Sequence, residues 1–298
     1  MHEDTLYRRR KRPLEAFVLG LTYGAAAVSV LLLAGIIGYV FRNGFPALGL
    51  DFFTTVTSEL KGTVGIAGNL VNTVYIVLIT LLIATPVGVG SAVYLNEYAK
   101  PGRLVRLIEF ATEILSGIPS VIFGLFGMAF FGTALGLDHS ILNGCLTLSL
   151  MVLPLILRNT QEALRAVPGS YRNGALGMGA PRWYMIRTVL LPAAAPGILT
   201  GVILAVGRIV GESAALLFTA GSARLLPKMG EGFVQNLRRL WEKPGRPGGS
   251  LAVELYLQVQ NGRYGTAFGI GCVLIVAVLF INGLLKLLTG KMTRKNRA

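Results

Sequence analysis

The sequence predicts an all-α integral membrane protein with six transmembrane helices. Three observations carry that class. Of its 298 residues, 53% are hydrophobic, above the roughly 45–50% of ordinary soluble domains. Charged residues make up only 14%, and the mean hydropathy is +0.63. The net charge of +14 lies in short blocks beside apolar runs, the pattern of membrane topology and not of a nucleic-acid-binding face.

About 20 apolar residues cross the roughly 30 Å hydrocarbon layer as a helix, because only a helix pairs every backbone group internally. Six segments meet this requirement, near 15–41, 67–95, 107–136, 140–157, 193–219 and 265–288. The first follows a basic block, Arg8 to Arg12, and imitates a signal peptide. Its length and the lack of a small-residue cleavage site make it a retained span. The fourth is shorter than ideal. Prolines at 86, 119, 154, 192 and 196, with 38 glycines, predict bent and closely packed helices.

Lys and Arg counts orient the chain. Five precede the first span, three lie in 96–106, five in 158–192 and five from Lys286 onward, against two in 42–66 and none in 137–139. Both termini are therefore expected in the cytoplasm. The outer loop 220–264 breaks the pattern with seven basic residues, although long loops count for less and this one carries Glu231, Glu242 and Glu254. Its Pro-Gly stretch, 244–249, reads as loop. A basic segment 1–14, a first span with its outer loop over 15–66, a membrane domain over 67–288 and a basic tail over 289–298 divide the chain.

Cys145 and Cys272 lie inside apolar stretches, and His2 and His139 are the only histidines. These residues supply no disulfide framework, metal cluster or catalytic pair, so no catalytic, cofactor-binding or metal site is expected.

The sharpest polar signal is Arg208 and Glu212 within the fifth span. A continuous helix would put them on one face, about 6 Å apart along the axis. Each charge at mid-bilayer costs roughly 2.5–3.5 kcal/mol, so neither is expected to face lipid. Gly201, Ala205, Ala215 and Thr219 complete that stripe, which suits a solute or a closely packed helix. A guanidinium offers two parallel donors to an oxyanion. Glu212 either neutralises Arg208 or accepts a proton from hydrogen phosphate, which would select against sulfate. A buried ion pair that only joins helices is the plainer reading of the same residues.

The segment Arg158 to Pro192 has the spacing of the cytoplasmic EAA loop of ABC importer permeases, on Asn173, Gly174, Ala175, Gly179, Val189, Leu191 and Pro192. The acidic first position of that pattern is Asn173 and the next alanine is Gly174, so one charged contact to an ATPase is missing. ILSGIPSVIFGLFG at 114–127, QEALRAVP at 161–168 and GRIVGESAALLFT at 207–219 resemble the phosphate-specific permeases. VELYLQVQNGRYGTAFG at 253–269 and the basic amino terminus resemble the PstA type in particular.

That resemblance implies the type I, MetI-like importer fold, with the loop as a coupling helix near 170–184. It implies a bacterial or archaeal plasma-membrane assembly: a PstC-type permease, two copies of an ATPase that binds the ATP, an extracytoplasmic phosphate-binding protein, and phosphate as cargo. Arg208 and Glu212 then correspond to pathway residues, with Ser116 and Ser120 nearby, although local helix bonding around Pro119 explains the serines equally well. The sequence holds no GxxxxGK[ST] loop of its own. A permease for sulfate or molybdate, and a secondary transporter or channel using the Arg208–Glu212 pair, are the competing readings.

Overall fold

The computed structural model describes residues 13–58, 62–226 and 233–295. The basic block before the first span lies outside the described residues, as does Glu231. Helix α1 (Pro13–Gly44) leads through one 3-10 turn to α2 (Leu50–Thr54). A short antiparallel hairpin, β1 (Val56–Ser58) and β2 (Thr63–Ile66), follows in what the sequence suggested was loop. Then come α3 (Ala67–Val93), α4 (Arg103–Gly117), α5 (Ser120–Gly127, extended to Ala134 by a π-helical segment), α6 (Ile141–Arg165), α7 (Gly169–Gly177) and α8 (Arg182–Met185). The remainder is α9 (Leu191–Gly211), α10 (Ala214–Thr219), α11 (Phe233–Glu242), α12 (Leu251–Gln260) and α13 (Tyr264–Lys295).

Five helical stretches are long and apolar enough to span a membrane, and a sixth is α4 with α5 taken together. Those two meet at 105°, so the third span, expected to bend at Pro119, is broken there outright. Pro119 causes the break: its ring disfavours helical backbone at the preceding residue, and Ile118 is extended at φ −73°, ψ 130°. By contrast Pro86, Pro154 and Pro196 lie inside continuous helices. The fourth span runs on to Arg165, correcting its expected end at 157, because the amphipathic stretch after Arg158 continues the helix. The fifth span stops at Gly211 instead of continuing to Thr219, and the outer segment expected as loop contains α11 and α12.

Helix α6 is the centre of the bundle. Ile76 and Ala84 of α3, Phe123 of α5, Leu148, Val152 and Ile156 of α6, Ala205 and Ile209 of α9 and Leu216 of α10 form one buried cluster. Small residues set the spacing between these helices. A Cβ on Gly88 would lie 2.8 Å from Ile156 Cγ2, and one on Gly201 would lie 2.6 Å from Asn159 Cβ. Such close approach is what holds membrane helices together where no hydrophobic drive separates helix from lipid. Helix α1 stands at the periphery, packed on α13, with its apolar side chains exposed.

At the end of the bundle opposite α7, α12 is pinned to α3 by polar groups. Asn69 and Asn72 both donate to Gly249 O, at 3.0 and 3.1 Å, and Leu251 N donates to Thr73 Oγ1 at 2.9 Å. Lys243, in the segment before α12, is buried and donates to Leu225 O. Its ammonium is pushed below the usual lysine range by burial and then by Arg246.

The closest approach at this end is between Gly68 and the chain at Arg224, whose carbonyl oxygen would sit 1.8 Å from an added Cβ. Backbone on both sides cannot yield cheaply. Gly68→Ala is therefore expected to destabilise the protein by about 1–3 kcal/mol, read as a lower thermal midpoint in detergent. An unchanged midpoint would show that this contact is soft.

Candidate functional site: a polar break in the bundle and the α7 loop

Two breaks in the spans lie side by side. One separates α4 from α5 at Ile118–Pro119, and the other separates α9 from α10 at Glu212–Ser213. Helices α5 and α10 pack closely just beyond them: a Cβ on Gly124 would lie 2.9 Å from Ala215 Cα. Gly127 is equally tight against Thr147 and Thr219.

The second break overturns the expected single face for Arg208 and Glu212. Gly211 weakens the helix, and Glu212 leaves it at φ −79°, ψ 123°. The Glu212 side chain is buried, and its Oε1 accepts the Ala215 N–H at 3.1 Å, capping the start of α10. Its partner is thus backbone and not a guanidinium. Arg208 sits in the last turn of α9, where the carbonyl end of the helix favours a cation, and its side chain is exposed. Among the described residues it makes no hydrogen bond or ion pair. The rest of the stripe, Gly201, Ala205, Ala215 and Thr219, is buried in helix contacts, so packing and not solute fills that face.

Ser116 and Ser120 flank the first break. Ser116 is exposed and its Oγ donates to Glu113 O at 2.7 Å, a local helix bond, while Ser120 is half-buried at the first position of α5.

At the other end, the segment expected to couple to an ATPase forms a compact hook. The expected helix over 170–184 is two short helices, α7 and α8, divided at Gly179. Gly179 adopts φ +82°, a left-handed conformation that glycine reaches without steric cost, and its N–H donates to Leu176 O at 3.0 Å. Asn173 and Gly174 are exposed, Ala175 is buried, Leu191 is half-buried and Pro192 is exposed. Ala175 joins Val93, Leu164, Ile186 and Leu190 in a small core beneath the hook. Tyr171, Met178, Trp183 and Tyr184 face outward.

An ion pair that the sequence analysis does not single out ties this hook to the end of α3. Arg172 of α7 grips Glu97, just beyond α3: Nη2 is 2.9 Å from Oε1, and Nε is 3.2 and 3.3 Å from the two carboxylate oxygens. The same guanidinium donates to Val167 O and Leu164 O, at 3.0 and 2.8 Å. Only the single acid at the end of the apolar run 67–95 hinted at this pair, which is 75 positions apart in the chain.

Residues 84–294 match the family described as binding-protein-dependent transport system inner membrane component. The chain belongs to this family. It is accordingly a transport subunit of ABC importers and not an enzyme. Among its relatives are a probable ABC transporter permease, YqgI, of Bacillus subtilis, 41% identical over 66% of this chain and 67% of the relative. The phosphate transport system permease protein PstA of Xylella fastidiosa is 37% identical, covering 72% and 75%. That of Haemophilus influenzae is also 37% identical, covering 70% and 74%.

Solved importers share the fold. A bacterial alginate ABC transporter superposes over 95% of this chain and 96% of its own, with a TM-score of 0.65 at 16% identity. The MetNI methionine transporter gives 0.52 over 78% and 94%, at 19% identity. The type I importer permease fold expected from the resemblance is therefore present.

Proposed function

We propose that this permease subunit imports inorganic phosphate, as the PstA-type half of a pathway completed by a PstC-type permease. Two copies of an ATPase bind the hook formed by α7 and α8 and hold the ATP, so this chain carries no cofactor. An extracytoplasmic phosphate-binding protein delivers the cargo at the opposite end, and both termini lie in the cytoplasm of a bacterial or archaeal cell. Nucleic acid has no part in the assembly.

The observation that carries this reading is the guanidinium of Arg208 within a membrane span, exposed and without a partner among the described residues. Hydrocarbon is not a tolerable surrounding for it, which leaves water or another subunit on that side. A surface shared with a second permease and wetted by a pathway meets the requirement, and a guanidinium there recognises an oxyanion. Phosphate is chosen over other oxyanions because the PstA proteins named above share 37% identity with the chain. Glu212 keeps one carboxylate oxygen on Ala215 N–H, and the other is left to accept a hydrogen bond from the P–O–H group of hydrogen phosphate.

The test is ATP-driven uptake of labelled phosphate into vesicles that contain the complete complex, with excess sulfate as competitor. Uptake that needs ATP and ignores sulfate is the expected result. Competition by sulfate would move the cargo to another oxyanion. Uptake without ATP or the ATPase would assign a secondary transporter or channel.

A further inference from the structure

We infer that the Glu97–Arg172 pair is a positioning device that ties the ATPase-facing helix α7 to the end of α3, so that a displacement of α7 moves α3 as well. This rests on the reading of α7 and α8 as the ATPase-facing hook. Chain connectivity alone ties that hook to α6 and α9, the helices on either side of it. Helix α3 is remote in sequence, and the guanidinium of Arg172 bridges the gap.

The geometry suits transmission of force. Glu97 sits in a π-helical turn, Tyr94–Tyr98, that ends α3, and its side chain is only 7% exposed. Asn96 Nδ2 donates to Glu97 Oε1 at 2.6 Å, which helps fix the carboxylate. Arg172 is 22% exposed and spends five donor contacts on two elements: the carboxylate of Glu97, and the carbonyls of Leu164 and Val167 at and just past the end of α6. A planar fork held at both ends resists rotation in a way that a single contact does not.

The apolar packing beneath α7 adds no such directional constraint. Val93 of α3 touches the same small core as Ala175 of α7, but slippery aliphatic contacts allow sliding that a bidentate ion pair forbids. One buried charge pair therefore joins α3, α6 and α7 into one moving unit.

The test compares purified complexes, each with its ATPase and reconstituted in vesicles, carrying Glu97→Gln, Arg172→Lys, or the exchanged pair Glu97→Arg with Arg172→Glu. Three quantities are read: ATPase bound per permease, ATP hydrolysed, and phosphate imported per ATP. Glu97→Gln is expected to keep the ATPase bound while phosphate imported per ATP falls about two- to thirtyfold, the span of measured coupling energies. Arg172→Lys keeps the charge and is expected to fall less, and the exchanged pair is expected to recover part of the loss.

An unchanged ratio in Glu97→Gln, or a loss confined to the amount of ATPase bound, would overturn the inference and leave the pair a purely structural tie. An unaltered complex that imports no phosphate with ATP would instead sink the proposed function, so the two failures are distinguishable.

Discussion

Arg208→Ala is expected to lower phosphate uptake by about tenfold to a hundredfold, the effect of removing hydrogen bonds from a charged donor, while leaving the fold intact. Nothing in the chain leans on this side chain: it is exposed and carries no partner among the described residues. Its loss therefore removes binding capacity without opening a cavity, and stability should stay within about 0.5 kcal/mol. Arg208→Lys restores the charge without the planar fork, so uptake should be intermediate. Uptake per assembled complex and thermal midpoint, measured on the same preparations, check this. Normal uptake by the alanine variant would take Arg208 out of the pathway.

Glu254→Ala is expected to have the largest effect on stability. The side chain is 1% exposed and serves two partners, with Arg224 Nε at 2.7 Å from Oε2 and Gln258 Nε2 at 2.6 Å from Oε1. Removing it strands a guanidinium and an amide at the junction of α12 with the segment after α10. Breaking a buried pair by deleting one member costs about 3–5 kcal/mol. Glu254→Gln keeps an acceptor for Arg224 and should cost less. Thermal unfolding in detergent reads the difference, and equal midpoints for the two variants would show that charge and not hydrogen bonding holds the junction.

What the sequence disclosed and what it hid divide along physical lines. Hydropathy located the helices because burial in lipid demands long apolar runs, whereas the segment from Asn173 to Pro192 stood out by its resemblance to the EAA loop of importer permeases, in which Gly179 answers to a left-handed backbone. Periodicity failed at Glu212. The stripe Gly201, Ala205, Arg208, Glu212, Ala215 continues smoothly across a point where the helix stops, because the capping bond from Ala215 N–H to the carboxylate leaves no mark in the pattern. Pro119 was visible, but the size of the bend it causes was not. The ion pair between Glu97 and Arg172 depends on tertiary packing across 75 positions, beyond the reach of local signals. Likewise α11 and α12 were hidden in a segment whose basic residues and Pro-Gly stretch advertised loop.

The bend between α4 and α5 has one more implication. A helix that ends leaves its last four carbonyls and the next helix's first amides without internal partners. Gly117 and Pro119 are exposed at that point, and a hydrocarbon environment tolerates bare peptide groups there no better than a bare charge. The corner must therefore be moist, or sealed by a neighbouring chain. Oil is excluded from this notch by peptide dipoles alone, before any side chain of the substrate route is considered.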